Sequence, residues 1–274
     1  MSIKSFLLVV AGCWFAVWAH AADGNSKQER KVRILPVGES PPFLQEIRDG
    51  VRYELEVPPD SIPPREVVPS CGKDVPPDKD PKLAKDPQAA KPLGLHLGRI
   101  SAPATVPAGA GIFDLKRVGE GPDAKPWLRI QRPEAGDFLL FLWRDPNKKS
   151  WRDALGLCVP DGPLGAPAGT VRIVNLFPQA VRILWAGEAL MLVPGKTIGR
   201  TVKPGAEMPF QILVADKSGA MKLYYSGNVT QNPGERSLVA IYRADGVAPR
   251  RPVKVEILRE PAPPPPPPDD TKKH

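Results

Sequence analysis

Histidine and cysteine are scarce in this 274-residue chain, with three of each. His20 and Cys13 fall in an apolar N-terminal stretch, which leaves His96, His274, Cys71 and Cys158 for the remainder. A zinc centre needs several Cys or His ligands close together, and no such cluster occurs. A Ser-His-Asp triad would have to use His96. That residue lies between Leu95 and Leu97, on the opposite face of an alternating segment, and reads as a surface or interface imidazole. G-x-S-x-G, Walker A and G-x-G-x-x-G patterns are missing. Asp74, Asp78, Asp80 and Asp86 are interleaved with Lys73, Lys79, Lys82 and Lys85 and lack EF-hand spacing, so they read as a solvated polyampholyte. No cofactor, metal or catalytic residue is expected. Beyond the first 21 residues no apolar run reaches the length of about 20 that crosses a bilayer, and no window carries a helical apolar stripe.

Proline is abundant instead, with 36 residues, alongside 24 glycines. Between them lie short alternating segments. Val171, Ile173 and Asn175 share one face of residues 170–176, with Arg172 on the other. Val181, Ile183 and Trp185 alternate with Arg182; Phe210, Ile212 and Val214 with Gln211; Met221, Leu223 and Tyr225 with Lys222; Val253, Val255 and Ile257 with Lys254 and Glu256. Period two is the signature of a strand, whose successive side chains point to opposite faces. Residues 238–242 are apolar almost throughout and read as an interior strand. Pro178, Gly187, Pro194-Gly195, Pro204-Gly205, Gly219 and Pro233-Gly234 punctuate the run with turns.

The first half behaves similarly at residues 31–37, 51–57, 93–100, 112–118, 127–131 and 138–143. Residues 58–92, rich in Pro, Lys and Asp, read as a disordered insertion. Val32-Arg33-Ile34 matches Val171-Arg172-Ile173, and residues 138–145 parallel 238–245. The match reads either as duplication or as chance similarity between two β segments. The expected fold is all-β: two tandem Ig-like β-sandwiches at residues 31–157 and 169–260, a linker at 158–168, and a disordered proline-rich tail at 261–274.

Residues 1–21 have the form of an export signal: Lys4, an apolar core and Ala19-His20-Ala21 as cleavage site. Val10-Ala11-Gly12-Cys13 supports a rival reading, a lipobox that would lipidate Cys13. In an oxidising compartment Cys71 and Cys158 are expected to pair as a disulfide, with two free thiols as the alternative. The formal charge of +8 is spread out, with Lys148-Lys149 and Arg250-Arg251 as doublets. Export argues against nucleic acid and is compatible with weak attraction to anionic envelope polymers or lipid surfaces. Trp151, in polar Lys148-Lys149-Ser150-Trp151-Arg152, reads either as a partly exposed ligand or partner contact or as packing at the domain junction. Asn228-Val229-Thr230 fits the N-glycosylation pattern, but the bacterial type of leader argues against its use.

The run from Val171 to Pro178, then Gly187, Pro204-Gly205 and the closing strand 238–242, resembles bacterial extracytoplasmic β-sandwich domains of unassigned function. The resemblance covers about 90 residues and carries over no functional residue. It implies an exported, envelope-associated module. Expected roles are a non-catalytic binding or structural module acting on an unknown envelope protein or polymer, an envelope hydrolase using dispersed carboxylates, or a lipid-anchored assembly factor.

Overall fold

A computed structural model describes residues 29–71, 91–121, 124–148 and 150–264. The first half holds β1 (Arg30–Pro36), β2 (Gln45–Arg48), β3 (Val51–Glu54), β4 (Glu66–Cys71), β5 (Leu93–Gly94), β6 (Ala104–Val106), β7 (Gly111–Arg117), β8 (Leu128–Arg132), β9 (Phe138–Arg144) and β10 (Ala154–Pro160). The second holds β11 (Thr170–Asn175), β12 (Val181–Trp185), β13 (Glu188–Leu192), β14 (Thr197–Thr201), β15 (Glu207–Ala215), β16 (Met221–Thr230), β17 (Glu235–Arg243) and β18 (Val253–Pro261). The fold is all-β, and its sheets are open, as in β-sandwiches.

Each half pairs two four-stranded sheets. The inner sheets run β10-β9-β1-β6 and β18-β17-β11-β14; the outer sheets run β5-β4-β7-β8 and β13-β12-β15-β16. The connectivity is the same in both halves, apart from the extra β2–β3 hairpin. In each, the first strand lies parallel to the penultimate one, Val32 opposite Phe138 and Val171 opposite Ser237. Val32-Arg33-Ile34 and Val171-Arg172-Ile173 therefore occupy corresponding positions.

The two inner sheets also pack on each other. Val32, Ile34, Phe138, Leu140 and Leu142 face the first outer sheet, while Leu35, Leu139 and Phe141 face the second half. Val171, Ile173, Val239 and Ile241 face the second outer sheet, while Val174, Leu238, Ala240 and Tyr242 face the first half. Strands apolar on both faces read as unbroken apolar runs, which is why residues 138–142 and 238–242 lack alternation. The stacking also buries Arg172, on the face that alternation alone assigns to solvent.

Arg172 is accommodated by a polar cluster that closes one end of this middle layer. Asp161, in the linker, accepts from Arg33 Nε at 2.7 Å and from Arg236 Nη2 at 3.0 Å, with Arg172 Nη2 at 3.3 Å. Glu260 accepts from Arg33 and Arg236. Burial alone would raise the Glu260 pKa, but these guanidinium groups outweigh it and hold the group below its usual value. Arg236 Nη1 also donates to the Asp161 and Ala166 carbonyls, tying the linker to β17.

The structure corrects three local expectations. Residues 58–92 are not one insertion: β4 lies inside the first outer sheet, paired with β5 and β7, and Val67 is fully buried. Residues 72–90, with the aspartates noted above, lie outside the described residues. Residues 93–100 form only a short strand followed by a turn. In β16 a bulge between Ile212 and Leu213 of its partner shifts the register, so Tyr225 pairs with Ile212 but Leu223 with Leu213. Leu223 is thereby left exposed, because one extra residue reverses which side chains face inward.

Candidate functional site

An open groove of about 730 Å³ runs along the β4–β5 side of the first sandwich. The segment before β4 contributes Ile62, Pro63 and Arg65; the turn after β5 contributes His96 and Arg99. Local geometry explains the placement. Leu95 is buried and its N–H donates to the Arg65 carbonyl at 2.8 Å, anchoring the turn against β4. Gly98 has φ +68°, a conformation that costs glycine little, and its N–H donates to the Pro36 carbonyl at 2.9 Å. Arg99 N–H then closes the turn on the His96 carbonyl at 3.2 Å. The outcome is an inward Leu95 beneath outward His96 and Arg99.

Arg65 and Arg99 have no carboxylate partner among the described residues, and Glu66 is the single carboxylate lining the groove. Two solvated guanidinium groups and an imidazole around one concavity suit a carboxylate, phosphate or sulfate, which guanidinium can grip through paired hydrogen bonds. In the sequence His96 reads as a surface or interface imidazole, and neither arginine stands out. The available signal was Arg65 after the rigid Pro63-Pro64 pair and Arg99 after a turn glycine, with His96 nearby. What joins them in space is the β4–β5 pairing, which local alternation does not reveal.

The other singled-out residues lie elsewhere. Trp151 is fully buried, not partly exposed. Ser150 caps a 3-10 turn over Trp151–Asp153, the Trp151 N–H donates to the Asp60 carbonyl at 2.7 Å, and its ring enters the first core. Lys148 and Arg152 are exposed while the turn points the indole inward.

Cys71 and Cys158 are free and unpaired, in place of the expected disulfide. Cys158 belongs to β10 rather than to the linker, opposite Leu140; Cys71 ends β4 opposite Phe113, where Arg132 Nη1 donates to its Sγ at 3.3 Å. Both pack against the first core. Burial pushes the Cys158 thiol up to about 12, with partial opposition from Arg30. Burial also raises Cys71, against Arg132 and Arg30. A neutral thiol is a poor nucleophile.

Among the described residues no group of three or more His, Cys, Asp or Glu side chains is arranged to hold a metal ion, and no helix is long and apolar enough to cross a membrane. Residues 1–28, with Cys13 and the cleavage site, lie outside the described residues, as do 265–274. Comparison with known protein families and with curated proteins finds no match.

Proposed function

We propose that the chain is an exported, non-catalytic binding module of the bacterial cell envelope, and that the β4–β5 groove holds an anionic envelope ligand. The observation that carries this reading is the convergence of Arg65, His96 and Arg99 on one groove, with neither arginine neutralised by a carboxylate among the described residues. The leader-like residues 1–21 and the resemblance of residues 169–260 to extracytoplasmic domains support the location. A paired-carboxylate hydrolase is less well supported, since Glu66 is the single acid lining the groove.

The test is co-sedimentation of the protein with isolated envelope fragments carrying phosphorylated or carboxylated glycans, at low and high salt. The parent is expected to be retained at low salt and released at high salt, because exposed charges are screened. Arg65→Glu with Arg99→Glu is expected to abolish retention without changing the unfolding midpoint. Equal retention of parent and double variant would remove the groove from the account.

A further inference from the structure

The β2–β3 hairpin belongs to neither sandwich. Its strands pair only with each other, across the tight turn Asp49-Gly50, where both residues have positive φ. Such a turn matches the natural twist of a hairpin. Residues directly opposite each other share a face. Leu44, Glu46, Arg48, Val51, Tyr53 and Leu55 therefore lie on one side, and Gln45, Ile47, Arg52 and Glu54 on the other. On the first side Val51, Tyr53 and Leu55 are 53%, 47% and 38% exposed. A two-stranded hairpin with an uncovered apolar face is marginal by itself and gains stability from further strands.

The outer edge of β3 can accept such a strand. Every residue of β3 is exposed, and no strand lies beyond it among the described residues. The Leu55 N–H donates inward, to the Leu44 carbonyl at 2.9 Å. Backbone groups alternate sides along a strand, so the amides and carbonyls of Arg52 and Glu54 point outward. These two outward residues carry opposite charges, which makes the edge complementary to itself. Antiparallel pairing that sets Arg52 against Glu54 of a second copy lets the two exchange both main-chain bonds, and the twofold axis repeats the exchange. Tyr53 then meets the second Tyr53, and Val51 meets Leu55. A shift of two residues either way sets Arg52 against Arg52 or Glu54 against Glu54, a like-charge pair that is unfavourable. A shift of one sets outward backbone groups against inward ones. β2 is the poorer edge, since its outward residues, Gln45 and Ile47, are uncharged, and Glu46 and Arg48 already pair with each other at 2.6 Å.

We propose that two copies of this chain join edge to edge through β3, building a four-stranded sheet in the order β2-β3-β3-β2 about a twofold axis. The same patch serves both copies, so the contact closes as a dimer. Val51, Tyr53 and Leu55 of both copies form one apolar strip on one face of that sheet, and the Arg52–Glu54 pairs lie on the other. The inference is independent of the β4–β5 groove.

Sedimentation velocity of the full chain over two decades of concentration tests it. The parent is expected to pass from monomer to dimer and no further. Arg52→Glu alone and Glu54→Arg alone each set like charges opposite each other at both symmetry-related places. Each should dissociate at least about tenfold more readily than the parent. An equimolar mixture of the two should dimerise, because the glutamates of one variant face the arginines of the other. The double variant carrying both changes should dimerise by itself. The unfolding midpoint should hold throughout, since both side chains are exposed. Tyr53→Cys should give a disulfide-linked dimer on air oxidation, because facing Cα atoms in such a pair lie about 4.5 Å apart, within disulfide reach; Ile47→Cys should not. A parent that stays monomeric, single variants that dimerise like the parent, or a mixture that fails to associate overturns the proposal. So does flotation of a monomeric parent with phosphatidylglycerol vesicles, which would give the apolar face to lipid.

Discussion

Replacing Asp161 by asparagine removes one negative charge and almost no volume from the polar end of the middle layer. Asp161 is 6% exposed and faces Arg33, Arg172 and Arg236, whose side chains are 19%, 8% and 6% exposed. At an effective dielectric of 20, an ion pair at 3 Å is worth about 5 kcal/mol before desolvation. Removing one partner of a buried pair commonly costs about 3–5 kcal/mol, because the remaining charge is stranded. Glu260 still engages Arg33 and Arg236, which puts the expected loss at the lower end. Arg172 would lose its ion pair with Asp161 and keep its bond to the Pro160 carbonyl. The expected cost is therefore about 3 kcal/mol, a large share of the usual 5–15 kcal/mol. With a urea m-value of about 3 kcal/mol/M, the unfolding midpoint should fall by about 1 M at unchanged slope. Adding Arg172→Met should recover part of the loss, because the stranded cation is gone. A midpoint that barely moves in Asp161→Asn would show that the cluster is hydrated, and the electrostatic argument would fail.

Two further outcomes follow from the same groups of residues. The folded-state pKa of Glu260 lies below its ordinary value, so its stabilising contribution is complete above about pH 4.5 and is lost as pH falls through the folded value; acid titration of stability should show less loss in Glu260→Gln than in the parent. Native Cys158 should resist alkylation by iodoacetamide at pH 8 and react readily once urea unfolds the chain, because its folded thiol stays neutral up to about 12; rapid native labelling of Cys158 by mass mapping would contradict its burial.

Much of the sheet content was legible because alternation and turn chemistry act locally. Val181, Ile183 and Trp185 face one core as their spacing requires, and Gly195, Gly205 and Gly234 occupy turns with positive φ. What alternation could not report was the second sheet behind an inner strand. Arg172 reads as an outward residue in β11 and is buried, because the neutralising Asp161 comes from the linker and Arg33 from the other half. β4 was hidden for a different reason. Pro69 within it and the prolines around it suggest a loop, yet Pro69 pairs with Leu115 in the sheet. The candidate groove was the least visible feature, since Arg65 and Arg99 are brought together only by the pairing of Glu66 with Gly94 and Val67 with Leu93.

The parallel β1–β9 pair has a consequence for how the molecule comes into being. Lys31 N–H donates to the Asp137 carboxylate across 106 residues of chain, and Val32 to Pro36 find their neighbours on the β9 side only in residues 138–142. During synthesis, N-terminus first, the β9 side of β1 must wait bare until nearly its whole half has emerged, although β6 can pair with its other edge earlier. Distant pairing of this kind slows folding and prolongs exposure of sticky strands. The interval of exposure ends when Phe138 to Leu142 arrive.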